Sequence, residues 1–78
     1  MTVIFVSNDQ KMHYSVICKN TDKFNRLENV LYSVEEYKEY LEWENYFIVR
    51  GKKINKYLTL EQNGIMNNDI IMLNQIEL

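Results

Sequence analysis

The sequence predicts an α+β domain, a four-stranded sheet with one amphipathic helix packed across one face. Three observations predict it. Short runs rich in β-branched and aromatic residues open and close the chain, as strands do. Between them Phe24, Leu27, Leu31 and Val34 recur at three- and four-residue spacing, which places them on one face of a helix. With no proline and only two glycines in 78 residues, no linker or domain boundary is marked, and a chain of this length is one domain.

Thr2 to Val6 is a strand by residue type, with Ile4 and Val6 assigned to the core. Asn8-Asp9-Gln10 has turn chemistry. His13 to Lys19 then alternates, with Tyr14, Val16 and Cys18 on one face and His13, Ser15, Ile17 and Lys19 on the other, so the first two strands form a hairpin. In Asn20-Thr21-Asp22 either Thr21 or Asp22 can cap a helix beginning near Lys23. Ser33-Val34-Glu35-Glu36 fits a Ser-x-x-Glu capping box. A break with a second helical turn is therefore expected there, the alternative being one helix running to about Leu41.

Tyr46 to Arg50 is the third strand, with Phe47 and Val49 inward against Tyr46, Ile48 and Arg50 outward. Gly51 ends it, and Lys52-Lys53-Ile54 continues after a tight turn. Thr59 to Ile65 reads as a short helical turn closed by Gly64 in left-handed conformation. Asn67-Asn68-Asp69 is a turn, and Ile70 to Asn74 is the last strand, Ile71 and Leu73 inward and Ile70, Met72 and Asn74 outward. The order is ββ-α-β-β. The predicted core is Ile4, Val6, Tyr14, Val16, Cys18, Phe24, Leu27, Leu31, Phe47, Val49, Leu60, Ile65, Ile71 and Leu73.

That order, with a helical turn just before the last strand, resembles the ubiquitin-like β-grasp. Phe47-Ile48-Val49-Arg50-Gly51-Lys52-Lys53-Ile54 is similar to the family's third-strand segment, an apolar triplet followed by Gly-Lys and an aliphatic residue. Thr59-Leu60 with Gly64-Ile65, then Asp69 and Ile71-x-Leu73, resembles the family's Thr-Leu, left-handed residue and alternating last strand. Ile4-Phe5-Val6 resembles its opening strand. The resemblance spans nearly the whole chain and implies a mixed sheet and a non-catalytic domain. Its expected partner is a protein, either a helical ubiquitin-binding module or the proteasome machinery, with this chain as part of a larger protein. There are two departures. The chain ends Gln75-Ile76-Glu77-Leu78 without the Gly-Gly of the family's conjugated members; as it stands it is not expected to be joined to lysine, and the alternative is a modifier whose glycines follow Leu78. The family's recognition surface is also only partly kept. Ile48 matches its central apolar residue, but Asp9 and Asn74 stand where aliphatic residues would flank it.

Composition narrows the function classes. With 46% hydrophobic, 13% aromatic and 26% charged residues, the chain can collapse and is not disordered by composition. A net charge of −2 argues against a broad phosphate-binding surface. One cysteine, Cys18, cannot form an internal disulfide, which suits the cytoplasm or nucleus. Cys18 and His13 are too few for a closed zinc site, and no cofactor is expected. No run approaches the ~20 apolar residues of a membrane span, so no membrane partner is expected, and the chain is read as a monomer.

Candidate sites follow from these faces. Tyr46, Ile48, Ile70 and Met72, with Arg50 at the rim, form the expected protein-binding surface, apolar and aromatic with a polar edge. Arg50, Lys52, Lys53 and Lys56 form a basic segment that could instead meet nucleic acid or an acidic partner. No aromatic residue is expected to stack with it, so a solvated turn is the plainer reading. His13 and Cys18 lie an odd number of residues apart in one strand and point to opposite faces, which removes a Cys–His nucleophile. Residues 35–44 hold five glutamates, Glu35, Glu36, Glu39, Glu42 and Glu44, against one lysine, a net of −4. Without interleaved histidine they read as a solvated face. Trp43 beside them is either a partner anchor or a lid on the core.

Overall fold

The computed structural model describes residues 1–76; the tail residues Glu77 and Leu78 lie outside the described residues. The strands are β1 (Thr2–Ser7), β2 (His13–Ile17), β3 (Glu44–Val49), β4 (Lys52–Lys53) and β5 (Ile70–Ile76). Helix α1 spans Phe24–Tyr32, and a 3-10 helix spans Glu35–Glu42. The described residues form one five-stranded sheet in the order β2-β1-β5-β3-β4. β1 and β5 are parallel at its centre and the remaining pairs are antiparallel. This is the α+β, β-grasp arrangement that the sequence predicts. The fifth strand is the two-residue β4, which forms where the sequence predicts only a continuation after the turn.

The core lies between the sheet and α1. Phe24 on the helix packs edge-on against Phe47 of β3, with ring centroids 4.9 Å apart, and Phe5 of β1 lies 6.1 Å from Phe24 and 5.9 Å from Phe47. Such tilted arrangements suit the ring quadrupoles and add to area burial. Leu27 and Leu31 on the same helical face, with Leu60, Ile71 and Leu73, belong to the same cluster.

One expectation reverses. In β1 the buried residues are Val3, Phe5 and Ser7, whereas Ile4 and Val6 are half-buried and face the other side of the sheet. The pairing of Phe5 with inward Ile71 sets this register. In Thr2-Val3-Ile4-Phe5-Val6 both parities are apolar, so alternation had no purchase, and a one-residue error exchanges every side chain. Met12, buried where β2 begins, was also absent from the predicted core.

The helix ends differ from the predicted caps. Neither Thr21 nor Asp22 caps α1. Its first amides, on Phe24 and Asn25, donate to the carbonyls of Leu58 and Lys56 at 2.9 and 3.0 Å, so a distant loop satisfies the helix N-terminus. The break after Tyr32 is present, with Val34 extended, but Ser33 Oγ donates back to the Val30 carbonyl at 2.6 Å instead of capping forward. The reciprocal capping box sits elsewhere. Thr59 N–H donates to Gln62 Oε1 and Gln62 N–H to Thr59 Oγ1, at 2.9 and 3.1 Å. That turn closes at Gly64 (φ +71°), with Ile65 N–H on the Leu60 carbonyl and Gly64 N–H on Glu61, a Schellman ending as expected. Arg50 and Gly51 both have positive φ, +48° and +77°, which makes the β3–β4 connection a type I′ turn.

Candidate protein-binding surface

The face of the sheet away from α1 carries the predicted surface. Alternation sends Tyr46 and Ile48 of β3 outward, both half-buried, and leaves Ile70 and Met72 of β5 exposed at 57% and 41%. Register brings them together, for Ile48 lies opposite Met72 and Tyr46 opposite Asn74. The patch does not stop there. On the other side of β5, Met72 is paired with Val6 and Ile70 with Ile4. Ile17 of β2, opposite Thr2, is 87% exposed at the far margin. The apolar face therefore crosses β1, β5 and β3. The sequence reading missed Ile4 and Val6, and the missing signal was in β1: a strand apolar at both parities has two apolar faces.

Arg50 is not on that face. It occupies the turn after β3, where its guanidinium pairs with the Asp69 carboxylate and donates to the Gly64 carbonyl at 2.6 Å, clipping the hairpin to the loop before β5. Lys53, opposite Ile48, takes the rim position, its Nζ 5.5 Å from the Tyr46 ring centroid, within cation–π range. Lys56 turns the other way, with Nζ 3.2 Å from Glu28 Oε2 and 5.8 Å from the centroid of Phe47. Lys52 is exposed on β4. The four cations of the basic segment are thus dispersed, three of them against separate partners.

The two flanking departures are also placed. Asn74 is half-buried beside Tyr46, its side chain on the Met72 carbonyl at 3.3 Å. Asp9 is in the β1–β2 turn, held by Ser7 Oγ, by the Lys11 amide at 3.1 Å and by Tyr40 Oη at 2.9 Å. Burial pushes the Asp9 carboxyl up, but these hydrogen bonds outweigh it and hold it below its ordinary value. Through Tyr40, which is buried, the same contacts pin the 3-10 helix to the turn.

His13 is exposed and Cys18 buried. Burial first, and Asp22 weakly, push the Cys18 thiol up against the pull of the N-terminal ammonium, so little reactive thiolate forms there. The five glutamates are exposed, while Tyr37 and Tyr40 between them face the core. Among the described residues no three His, Cys, Asp or Glu side chains converge as a metal site needs. No helix among them is long and apolar enough to cross a membrane. Comparison with protein-family models and with curated proteins found no match for this chain.

Proposed function

We propose that this chain is a non-catalytic, ubiquitin-like protein-interaction domain that docks an amphipathic helix on the open face of its sheet. The observation that carries the reading is the contiguous apolar surface of Ile4, Val6, Tyr46, Ile48, Ile70 and Met72, on a sheet whose other face is already filled by α1. Monomers rarely expose such patches without a binding role. An apolar stripe flanked by Lys53 suits a helix with aliphatic residues along one side and acidic residues beside them. The partner class, a helical ubiquitin-binding module or the proteasome machinery in the cytoplasm or nucleus, rests on the family resemblance, since a fold alone does not fix function.

The test is an amide chemical-shift titration with a synthetic amphipathic helix of Leu/Ala face and acidic flank. Shifts should concentrate at Ile48, Ile70 and Met72, with a Kd on the order of 10⁻⁴ M or weaker. Polar Asn74 narrows the patch and limits affinity. Shifts confined to Lys52, Lys53 and Lys56, steeply dependent on salt, would replace this reading with an electrostatic one.

A further inference from the structure

A second feature lies apart from the open face, where the 3-10 helix leads into β3 beside α1. Here a cleft of about 260 Å³ is lined by Glu28, Tyr32, Leu41, Trp43, Asn45 and Lys56 among others. Its polar side is built. Glu28 is only 9% exposed, and its Oε2 accepts from Tyr32 Oη at 2.7 Å and from Lys56 Nζ at 3.2 Å. Asn45, 7% exposed, donates from Nδ2 to Tyr32 Oη and to the Tyr40 carbonyl, both at 2.8 Å. The Tyr40 carbonyl accepts only, so it fixes the amide orientation. That leaves Asn45 Oδ1 a buried acceptor with no hydrogen bond. Glu28 Oε1 makes none with the described residues and is not fully enclosed. The other side is apolar, with Leu41 and Trp43 61% and 50% exposed.

An anionic acceptor beside an exposed indole and an aliphatic wall matches a side chain with an apolar stem and a cationic head. Of the two natural ones, arginine fits better. Its planar guanidinium brings several fixed donors, enough for Glu28 Oε1 and a neighbouring acceptor together, and it stacks on aromatic faces. The volume admits one side chain and no helix. We propose that this cleft receives an arginine side chain from a protein partner, its guanidinium on Glu28 and its stem against Leu41 and Trp43. Lys56, sharing the same carboxylate, acts as an internal competitor.

Trp43 is the only tryptophan, so its fluorescence reports the cleft directly. The full chain is titrated with Nα-acetyl-arginine methylamide, its citrulline counterpart and methylguanidine, following Trp43 emission and the amide shifts of Glu28 and Asn45. The arginine compound should saturate with a Kd on the order of 10⁻³ M, the range open to so small a ligand. The uncharged citrulline compound should not saturate, and methylguanidine, lacking the stem, should bind more weakly. Glu28→Gln should weaken arginine binding about tenfold or more, the scale of one charge-assisted hydrogen bond. Lys56→Met, which keeps a stem over Phe47, should strengthen it by about two- to fivefold, as release of a partly exposed ion pair allows. Equal binding of citrulline, equal binding of methylguanidine, or no saturable change would overturn the assignment. So would weaker binding by Lys56→Met, which decides the matter even if Glu28→Gln does not fold.

Discussion

The two faces of this sheet are drawn from alternate residues of the same strands and meet opposite surroundings. On the side of α1, Val3, Phe5, Phe47, Val49, Ile71 and Leu73 are between 0% and 4% exposed. On the other side Ile4, Val6, Ile48, Ile70 and Met72 are just as apolar yet stay half-buried or exposed. A strand covered on one face ordinarily alternates, whereas a continuous apolar run belongs to a strand with apolar surroundings on both faces. Val3-Ile4-Phe5-Val6 and Ile70-Ile71-Met72-Leu73 are such runs. Among the described residues a cover lies on one of the two faces, that of α1, which is the physical basis for proposing that a partner supplies the other.

The sharpest way to break this comparison is to truncate neighbouring residues that face opposite sides. Phe5→Ala should have the largest effect, a loss of about 3–5 kcal/mol of stability, because its ring is fully buried among Phe24 and Phe47. Leu73→Ala follows at about 2–5 kcal/mol. Urea denaturation measures both. A loss under half a kcal/mol for Phe5→Ala, with a large one for Ile4→Ala, would return β1 to the opposite register and remove Ile4 and Val6 from the open face.

What the sequence disclosed tracks how uniquely each pattern is determined. β2, β3 and β5 were legible on their core faces because polar residues mark the outward parity in each, Ser15 in β2 and Lys19 just beyond it, Arg50 just past the end of β3 and Asn74 in β5. β1 was not, since both parities are apolar and only its pairing with Ile71 decides. The open-face site was legible as far as Tyr46, Ile48, Ile70 and Met72, which local alternation places. Arg50 was misplaced because a type I′ turn, signalled by Gly51, takes it out of the strand. The polar floor beneath Trp43 was beyond reach. It joins Glu28 and Tyr32, one turn apart on α1, to Asn45 of β3 and Lys56 of the following loop, and no local period relates those three segments.

That floor yields the next prediction. Tyr32→Phe removes the donor to Glu28 and an acceptor of Asn45, and should cost about 1–3 kcal/mol as buried polar groups lose partners. It should also change the response to alkali. Burial first, then the hydrogen bond and charge of Glu28, push the Tyr32 phenol well above its ordinary value. Burial also raises Tyr40, with Asp9 adding to it. The unfolded chain therefore ionises first, near pH 10, while the folded chain holds its protons. These groups' contribution is full below that pH and is lost as pH rises toward the folded values. Stability measured from pH 8 to 11 should fall in the upper part of the range, and less steeply in Tyr32→Phe. An identical slope would mean that Tyr32 titrates freely. Arg50→Ala comes next, at about 0–1 kcal/mol, since its pair with Asp69 is partly exposed. Helix binding should be unchanged in that variant, which separates its role in the turn from the rim position that strand alternation predicts for it.

The smallest effect on stability should come from the residues most concerned with binding. Ile70→Ser and Met72→Ser remove apolar atoms that already meet water, so each should move stability by about half a kcal/mol or less. Serine is a moderate strand residue, and neither change touches the ladder hydrogen bonds of β5. The pair nevertheless sits at the middle of the open face, between Ile4 and Val6 on one side and Ile48 on the other. A helix seated there would lose its central contact and leave its own aliphatic residues against hydroxyls, so the double variant should weaken the amphipathic-helix titration by about tenfold or more. Measured beside Leu73→Ala, the result separates the two faces along one strand: Leu73 should matter to folding, and Met72, its immediate neighbour, to association. A double variant that bound the helix normally while the shifts moved to Lys53 would show that charge, and not the apolar face, holds the partner.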